Sequence, residues 1–283
     1  MLNDNFKEHL QNALSVETIQ ITSLTGGDIN DVYKLSCSDC NYVIKVNDVS
    51  AYPNMFKLEA QGLEFIRTSE SFPVPDVLTY DNFENLSYLI LEYLETGPKN
   101  SDFNNVFGSQ LAALHKSSSH KFGFENDNYI GSLKQFNTSE STAYDFYINQ
   151  RLEPQFKLAV DNGYSFNSID LFYKEISQLI PLEKPALIHG DLWSGNYLIN
   201  SNGGPSLIDP AVSFAPREMD IALMHLFGGF DPHLFDTYNS QFPLKTGWKK
   251  RLQLWQLYYI LVHVNLFGGS YYTSAKAILK AYI

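Results

Sequence analysis

The sequence predicts an α+β protein of two lobes, in which a small β-rich lobe with one helix precedes a larger helical lobe. Up to about Glu92 the chain contains runs rich in β-branched and aromatic residues, separated by Gly, Pro, Asn and Asp. Beyond the Gly97-Pro98 break, helical patterns dominate. We therefore predict a nucleotide-binding lobe at residues 1–93, a linker at 94–101 and a helical lobe at 102–283.

The elements of each lobe follow from their patterns. The predicted strands lie in ETIQITSL, DVYKLSC, NYVIKVN, PDVLTYD and LSYLILEYL. The one helix of the small lobe covers Asn54 to Arg67, because apolar residues recur there at helical spacing. These residues are Phe56, Ala60, Leu63 and Ile66. The larger lobe is predicted to contain helices in DFNNVFGSQLAALHKS, AYDFYINQRLEPQFKLAV, REMDIALMHLF and WKKRLQLWQLYYILVHVNLF.

Composition narrows the class of protein. With 283 residues, 44% hydrophobic and 18% charged, the chain is long and apolar enough for a large core. A formal net charge of −11 argues against a nucleic-acid or anionic-membrane surface. The N-terminus has no apolar signal region, and the longest apolar run is too short to span a bilayer. We expect a cytoplasmic protein, and the sequence does not predict its oligomeric state.

The chain has two cysteines, Cys37 and Cys40, spaced as C-S-D-C. No second Cys/His pair with zinc-ligand spacing accompanies them. They lie between two strand-like runs, where Ser38-Asp39 is typical of a hairpin turn. We expect reduced, structural thiols, although a redox pair remains an alternative.

A polar loop between two apolar runs is the first candidate site. In ALIHGDLWSGNYLI, the residues His189, Asp191 and Asn196 have the spacing H-x-D-x-x-x-x-N. Transfer of a phosphoryl group to a hydroxyl needs a carboxylate that accepts the hydroxyl proton and an oxygen ligand that holds Mg²⁺ on the nucleotide. The alternative is an ordinary turn, since Asp, Asn and Gly are common turn residues.

A second acid follows this loop. Asp209 ends the apolar run SLI beyond the turn NSNGGP, and a two-strand hairpin would return it to the loop. A carboxylate at that position can serve as a further ligand of Mg²⁺. The alternative is an aspartate that caps a strand.

A lysine lies within the small lobe's strand YVIKV. Lys45 is either a charged residue that keeps an edge strand from pairing with another chain or a buried charge with a function. Glu59 lies on the apolar stripe of the predicted helix, where a carboxylate is costly unless paired. We therefore predict a Lys45–Glu59 ion pair that directs the lysine to the α- and β-phosphates of a nucleotide. The alternative is an exposed, unpaired Glu59.

Two further positions are suggested by their place in the chain. TGGDIN, with Gly26 and Gly27, links two strand runs and could lay backbone amides over phosphates, although any hairpin can carry two glycines. The last strand of the small lobe ends just before the linker, where backbone groups would face adenine. The residues there are Leu91, Glu92 and Tyr93.

These motifs occur in the order in which kinases carry them, so we predict a bilobal protein-kinase-like fold. The HRD, DFG and APE motifs of protein kinases are not present, and HGD resembles the small-molecule branch that includes aminoglycoside and choline kinases. ALIHGDLWSGN, IDPAVSFAPREMDIALMHLFGGF, FYINQRLEPQF and QLYYILVHVNLFGG resemble the fructosamine kinase (ketosamine-3-kinase) family. The resemblance runs from Gly26 almost to the C-terminus.

This resemblance implies ATP-dependent phosphorylation of the sugar 3-hydroxyl of ketoamines, after which the adduct falls apart and the glycation is removed. It implies that Asp191 is the catalytic base and that Asn196 and Asp209 bind Mg²⁺. Lys45 would anchor the phosphates, and Asp220 would brace the catalytic loop. Residues 91–93 would form the adenine hinge. Some family members carry a redox-switch cysteine in the glycine loop, and this chain has none there, so redox regulation is not expected.

Three residues are candidates for contact with the acceptor substrate. Trp193 can stack its indole on the apolar face of a sugar, or else pack the lobes together. His263 and Asn265 lie in a helix that is apolar on most sides, where buried polar groups need partners. The partner is either a ketoamine or another core residue.

Three hypotheses remain open from the sequence. The favoured one is a ketosamine kinase that acts on a free ketoamine or on glycated lysine of proteins. The second is a phosphotransferase for another small hydroxylated amine, such as an aminoglycoside or a choline-like alcohol. The third is a non-catalytic nucleotide-binding module. The intact set of candidate catalytic residues argues against the third, and Trp193 with LFGGF favours the first over the second.

Overall fold

The computed structural model describes residues 3–24, 29–38 and 40–283. The smaller lobe is built on a five-stranded antiparallel sheet with strand order β1-β2-β3-β5-β4. Its strands are β1 (Gln20–Ser23), β2 (Asp31–Ser36), β3 (Asn41–Asp48), β4 (Val77–Phe83) and β5 (Leu86–Glu92). Each strand overlaps one of the predicted β-rich runs, although β3 and β4 extend one and two residues beyond theirs. With the helical second lobe, the predicted α+β fold class is confirmed.

Two helices pack on this sheet, α1 (Asp4–Leu14) and α2 (Met55–Thr68). The prediction of a single helix omitted α1. That helix buries only Phe6 and Leu10, so its apolar stripe is too narrow to stand out in the sequence. Its N-terminus is capped by Asn3, whose side chain accepts a hydrogen bond from the Phe6 amide at 2.8 Å.

The alternation of side chains along β3 separates the two faces of the sheet. Ile44 and Val46 belong to the apolar cluster around Phe6 of α1. Lys45 lies between them in the sequence and therefore projects from the opposite face, on the side of α2. The strand thus brings its one lysine under the helix that carries Glu59.

The two cysteines flank the turn between β2 and β3. The Cys37 amide donates to the Cys40 carbonyl at 2.8 Å, and the antiparallel pairing of the two strands confirms the predicted hairpin. Burial, with the neighbouring Cys40, raises the pKa of the Cys37 thiol to about 11. Such a thiol is almost wholly protonated at neutral pH, which disfavours redox chemistry.

The larger lobe is mainly helical. Its helices are α3 (Phe103–Lys116), α4 (Ala143–Phe146), α5 (Glu153–Asp161), α6 (Ile169–Ile176), α7 (Glu218–Phe227), α8 (Pro232–Gln241), α9 (Trp248–Phe267) and α10 (Ser270–Ala281). A π-helical segment, Tyr147–Leu152, joins α4 to α5. Three short antiparallel strand pairs complete the lobe: β6 (Asn128–Ile130) with β7 (Leu133–Gln135), β8 (Ala186–Ile188) with β11 (Ser213–Ala215), and β9 (Tyr197–Ile199) with β10 (Pro205–Leu207).

A buried ion pair joins α7 to the central helix α9. The Glu218 carboxylate accepts from Arg251 at 2.6 and 2.8 Å and from the Trp255 indole at 2.8 Å. All three side chains are buried, so an uncompensated charge would be costly if one partner were removed. This contact fixes α7, the helix that carries Asp220.

Helix α2 of the smaller lobe packs against the larger lobe. A Cβ on Gly62 would lie 3.3 Å from the side chains of Pro210 and Val212, so the helix packs directly on the chain that follows β10. The Tyr129 hydroxyl donates to the Pro53 carbonyl at 3.1 Å and holds the segment before α2 against the β6–β7 hairpin. Within the described residues, no helix is both long and apolar enough to cross a membrane.

Candidate active site

The loop between β8 and β9 is held in a tight turn. Gly190 has φ of 83°, and a Cβ at that position would lie 2.1 Å from the Ala211 carbonyl oxygen, so only glycine fits. The buried Asp220 carboxylate accepts hydrogen bonds from the backbone amides of His189 at 2.8 Å and Gly190 at 2.9 Å. His115 contacts the same carboxylate at 3.2 Å. Asp220 therefore occupies the bracing position that the sequence predicts.

His189 has a structural role in this loop. Its side chain is fully buried, with Nε2 at 2.9 Å from the Ile208 carbonyl and Nδ1 accepting from the Asp191 amide at 3.3 Å. Burial lowers the pKa of the imidazole, which is therefore neutral at pH 7. The ring ties the loop to the chain beyond β10 and has no position free for proton transfer.

Asp191 is oriented by Asn196. The Asn196 Nδ2 group donates to the Asp191 carbonyl at 2.8 Å and to its carboxylate Oδ2 at 3.0 Å. Burial raises the pKa of Asp191 to about 7, and the charges of Asp209 and Asp220 add to the effect, while the Asn196 hydrogen bond opposes it. A carboxylate with a pKa near neutral is well suited to accept a proton from a hydroxyl.

Asp209 lies where the predicted hairpin returns it. Pairing of β9 with β10 and a hydrogen bond from the Ile208 amide to the Asn196 carbonyl, at 3.1 Å, bring it next to the loop that carries Asp191. Asp209 has φ of 55°, a left-handed conformation that aspartate tolerates better than most residues. The carboxylate is partly exposed to the space between the lobes.

The predicted Lys45–Glu59 pair is present, and Asp209 joins it. Lys45 Nζ lies 2.6 Å from Glu59 Oε1 and 2.5 Å from Asp209 Oδ1. Burial of Lys45 disfavours its charge, but the two carboxylates outweigh this and raise its pKa. The lysine therefore remains a cation, and it links Glu59 on α2 of the smaller lobe to Asp209 of the larger lobe.

These groups line one cavity of about 590 Å³ between the lobes. It brings together these predicted site residues: Lys45, Glu59, Asp191, Trp193, Asn196, Asp209 and His263. Gly26 and Gly27 lie outside the described residues. The volume is in the range of small-molecule sites, with apolar walls and a few convergent polar groups.

Trp193, in the loop that carries Asp191, and His263, on α9, both line the cavity. Trp193 is 42% exposed, and its ring lies so close to Gly195 that a Cβ there would come within 2.2 Å of it. The His263 Nδ1 atom is 2.8 Å from the Tyr259 carbonyl. Burial lowers the pKa of His263, so its ring offers a neutral face to the cavity.

Asn265 is not brought to this site. Its Nδ2 group donates to the Gln155 carbonyl at 3.0 Å and to Gln155 Oε1 at 2.8 Å, which ties α9 to α5. Among the described residues that line the cavity, Asn265 is not found. The half-buried amide thus has Gln155, a buried residue of the same lobe, as its partner, and the predicted contact with substrate is not supported.

The predicted hinge residues lie at the end of β5 and are not among the described residues that line the cavity. Leu91 is buried under α2, and the Glu92 amide donates to the Asp76 carbonyl at 2.8 Å. The Tyr93 ring lies 4.0 Å from the Lys34 ammonium. These contacts fix the strand end, and the assignment of this segment to adenine stays a prediction.

Several residues that line the cavity are not predicted by the sequence patterns. On α9 these are Tyr259, Val262, Leu266 and Phe267, and elsewhere they include Phe227 and Tyr271. A signal was present for the α9 group, because residues 259 and 267 lie four positions on either side of His263 and share its face. The β6–β7 hairpin, which contributes residues 128–132, has no motif that would have marked it.

Two oxygen atoms in the cavity fit a hydrated cation. Within the described part of the chain, no hydrogen bond occupies Oδ1 of Asn196 or the second carboxylate oxygen of Asp209. Mg²⁺ in nucleotide sites takes one or two protein oxygens and completes its shell with phosphate and water. The residues present therefore suit that ion.

The fold and the groups collected in its cleft define a kinase-like phosphotransferase. A family model described as fructosamine kinase matches residues 2–283. A relative named "probable ketoamine kinase" from Vibrio parahaemolyticus is 38% identical over 264 residues, 92% of this chain and 91% of the relative. One of the same name from Enterococcus faecium is 36% identical and covers 92% and 94%. The chain therefore belongs to the fructosamine kinase family, and it is a kinase.

Solved structures agree with this assignment. A "putative fructosamine-3-kinase" from Thermobifida fusca is 32% identical, with a TM-score of 0.86 and coverage of 99% of both chains. A mutant of the aminoglycoside phosphotransferase APH(4)-Ia, in complex with AMP-PNP and hygromycin B, has a TM-score of 0.65 at 17% identity, over 97% and 98% of the two chains. The second likeness concerns the fold alone.

Proposed function

We propose that this kinase transfers the γ-phosphoryl group of ATP to the sugar 3-hydroxyl of ketoamines. The observation that carries the proposal is one cavity in which a carboxylate with a pKa near 7 lies beside a lysine–carboxylate cluster and an exposed indole. The acceptors would be small ketoamines or glycated lysines of proteins. The reaction would contribute to deglycation in the cytoplasm, as the sequence resemblance and composition imply.

In this proposal Asp191 accepts the proton of the acceptor hydroxyl as phosphoryl transfer proceeds. Asn196 holds one carboxylate oxygen of Asp191, so the other oxygen is directed to the substrate. Because the raised pKa leaves a substantial ionised fraction at neutral pH, the group is both available and basic enough to act.

The nucleotide would bind with its phosphates at Lys45 and its adenine at the backbone of residues 91–93. Glu59 keeps the lysine in place. Asp209 Oδ1 is also paired with Lys45, and this contact would weaken when a phosphate of the nucleotide binds the lysine. Asn196 and Asp209 would hold Mg²⁺. The ion, when bound, neutralises charge on the phosphates.

The sugar would lie between the catalytic loop and α9. Trp193 has the exposure needed to stack on an apolar sugar face, and His263 faces the same cavity from α9. A stacked sugar in this place has its hydroxyls next to Asp191. The position of both rings in one wall supports a sugar-bearing acceptor.

The proposal is tested by steady-state kinetics with ATP, Mg²⁺ and a panel of acceptors: fructosyl-lysine, ribulosyl-lysine, an aminoglycoside and choline. We expect the highest kcat/KM for a ketoamine, and a loss of at least ~10²-fold in kcat for Asp191→Asn and for Asp209→Asn. Preferential use of the aminoglycoside or choline would instead establish the second sequence hypothesis. No turnover of any acceptor would favour the non-catalytic one.

A further inference from the structure

The peptide groups that follow Asp209 are held on two sides. The Ala211 amide donates to the His189 carbonyl at 2.9 Å, on the side of the loop between β8 and β9. The Ala211 carbonyl accepts a hydrogen bond from Gln135 Nε2 at 3.0 Å, on the side of the β6–β7 hairpin. Ala211 is therefore the residue at which the hairpin, the loop and the segment after Asp209 meet.

The conformation of Asp209 makes this support necessary. With φ of 55° the residue lies in the left-handed region, which costs free energy for any residue other than glycine and persists where the surrounding contacts enforce it. The next residue is Pro210, which has no amide hydrogen to donate. The first amide after Asp209 that can donate a hydrogen bond is therefore that of Ala211.

The buried side chain of Gln135 uses both of its amide hydrogens. Its Nε2 group donates to the Ala211 carbonyl and, at 2.8 Å, to Asn128 Oδ1. Its Oε1 atom accepts from the Tyr258 hydroxyl at 2.7 Å. The two acceptors require Nε2 on their side, because a rotated amide would place oxygen against oxygen there, and Tyr258 supplies the donor that Oε1 needs. The hydroxyl thus fixes the direction of the amide.

Asn128 adds a second contact to the same segment. It pairs with Gln135 across the β6–β7 hairpin, and its Nδ2 group donates to the Val212 carbonyl at 2.9 Å. Its Oδ1 atom accepts from Gln135 and, at 3.0 Å, from Asn137 Nδ2. All of these amide side chains are buried. A buried network whose members are all satisfied holds a single geometry, and one that loses a partner leaves polar atoms unpaired.

The network reaches the cavity through the backbone. Gln135 and Tyr258 are not among the described residues that line the cavity. Asp209 and Ala211, by contrast, do line it. Tyr258 belongs to α9, so the hydrogen bonds lead from a helix that borders the cavity to the chain that carries Asp209. A change at Gln135 can therefore reach the reacting groups only by moving that chain.

We propose that Gln135 is a positioning residue, which fixes the Ala211 carbonyl and so holds the Asp209 carboxylate in the geometry that phosphoryl transfer requires. Tyr258 keeps the Gln135 amide in the necessary direction. The inference rests on the proposed function, because it takes Asp209 as a residue that acts on the nucleotide. A displacement of a reacting group by about 1 Å can cost on the order of 10²-fold in rate, so a loosened segment should be detectable in kcat.

The test compares Gln135→Met and Tyr258→Phe with wild type, using ATP, Mg²⁺ and fructosyl-lysine. Gln135→Met removes all three hydrogen bonds with a side chain of similar length and should lower kcat by at least ~10-fold. Tyr258→Phe removes only the bond that directs the amide and should lower kcat by about threefold. KM for fructosyl-lysine should stay within about twofold in both variants, because no side chain that lines the cavity is changed.

Tyr88→Phe is the matched control. Tyr88 is as deeply buried as Tyr258, and its hydroxyl is paired with His9 Nε2 at 2.9 Å in the apolar cluster around Phe6, on the other face of the small sheet. Both substitutions remove one hydrogen bond and should lower the melting temperature, whereas only Tyr258→Phe should lower kcat. Equal kcat for Tyr258→Phe and Tyr88→Phe, or an effect on KM alone, would give the network a purely structural role and overturn the inference.

A double-mutant cycle shows whether Gln135 acts through Asp209. In the Asp209→Asn background, Gln135→Met should lower kcat by less than about twofold, because the carboxylate that it positions is already gone. Losses that multiply would contradict the inference. If Gln135→Met does not fold, Tyr258→Phe replaces it in the cycle, with its threefold effect on wild type again expected to disappear.

The same measurements separate this inference from the proposed function. If Asp209→Asn keeps wild-type turnover, the proposed role of Asp209 is wrong and the inference falls with it. If wild type does not phosphorylate fructosyl-lysine, the proposed acceptor is wrong, and the cycle is measured with the acceptor of the panel that gives turnover. There, a loss of kcat that depends on Asp209 would uphold the role of Gln135, and an independent loss would overturn it.

Discussion

Replacing Asp191 by asparagine should lower kcat by at least ~10²-fold and at the same time stabilise the fold above neutral pH. The reason is the pKa of Asp191, which burial raises from 3.8 to about 7. Between these values the unfolded chain carries an ionised Asp191 and the folded chain a protonated one. The folded state then binds more protons, so the free energy of unfolding falls as pH rises from about 4 to 7 and is constant above 7.

The size of the effect follows from the same shift. A difference of about 3 pKa units corresponds to roughly 4 kcal/mol at 1.36 kcal/mol per unit. Asp191 is partly exposed in the cleft, so solvent screening reduces this to about 2 to 3 kcal/mol. Asparagine is isosteric and can still accept the hydrogen bond from Asn196 Nδ2, so the substitution removes the charge and leaves the loop in place.

The assay is denaturant unfolding of wild type and Asp191→Asn from pH 5 to pH 9, with a chelator and without nucleotide, so that no cation lowers the pKa of Asp191. The variant's advantage should grow by about 2 kcal/mol between pH 5 and pH 8 and then level off. A pH-independent difference, or a variant less stable than wild type at pH 8, would refute the reasoning.

Four further substitutions test other parts of the site. Lys45→Met removes the positive charge and should lower kcat/KM for ATP by at least ~10²-fold. Glu59→Gln leaves the charge but loosens the position of the lysine, so it should lower kcat/KM for ATP by about tenfold. Equal effects of the two substitutions would count against the pair. Trp193→Ala should lower kcat/KM for ketoamine by an amount that corresponds to roughly 1–3 kcal/mol, while KM for ATP and the melting temperature stay unchanged. If the affinities for both substrates and the melting temperature fell together, the ring would only pack the lobes together. Gly190→Ala should lower the free energy of unfolding by at least about 2 kcal/mol, given the Cβ clash with the Ala211 carbonyl, and denaturant unfolding at wild-type stability would contradict that geometry.

The sequence predicts the parts of the site that depend on short-range patterns. The loop of residues 189–196, the hairpin that returns Asp209, and the Lys45–Glu59 pair all depend on strand alternation, turn residues and helical spacing. Each of these is local, or joins two elements whose faces the sequence already reveals. The direct contact of Asp209 with Lys45 is the exception, because it depends on how the two lobes meet.

What the sequence does not reveal depends on packing between distant elements. Helix α1 has only Phe6 and Leu10 to bury, and α9 is apolar nearly all round, so periodicity cannot tell which of its faces borders a cavity. For this reason Asn265 and His263 look alike in the sequence, yet one contacts Gln155 and the other lines the cleft.

The proposed reaction is tested most directly by identifying its product. The enzyme is incubated with ATP, Mg²⁺ and fructosyl-lysine, and the product is examined by ³¹P–¹H correlation NMR. We predict one new phosphate ester, coupled to the proton on C3 of the sugar, formed in equal amount to ADP and absent with Asp191→Asn. A phosphate on another carbon, or ADP release without a sugar phosphate, would contradict the assignment of this kinase as a ketoamine 3-kinase.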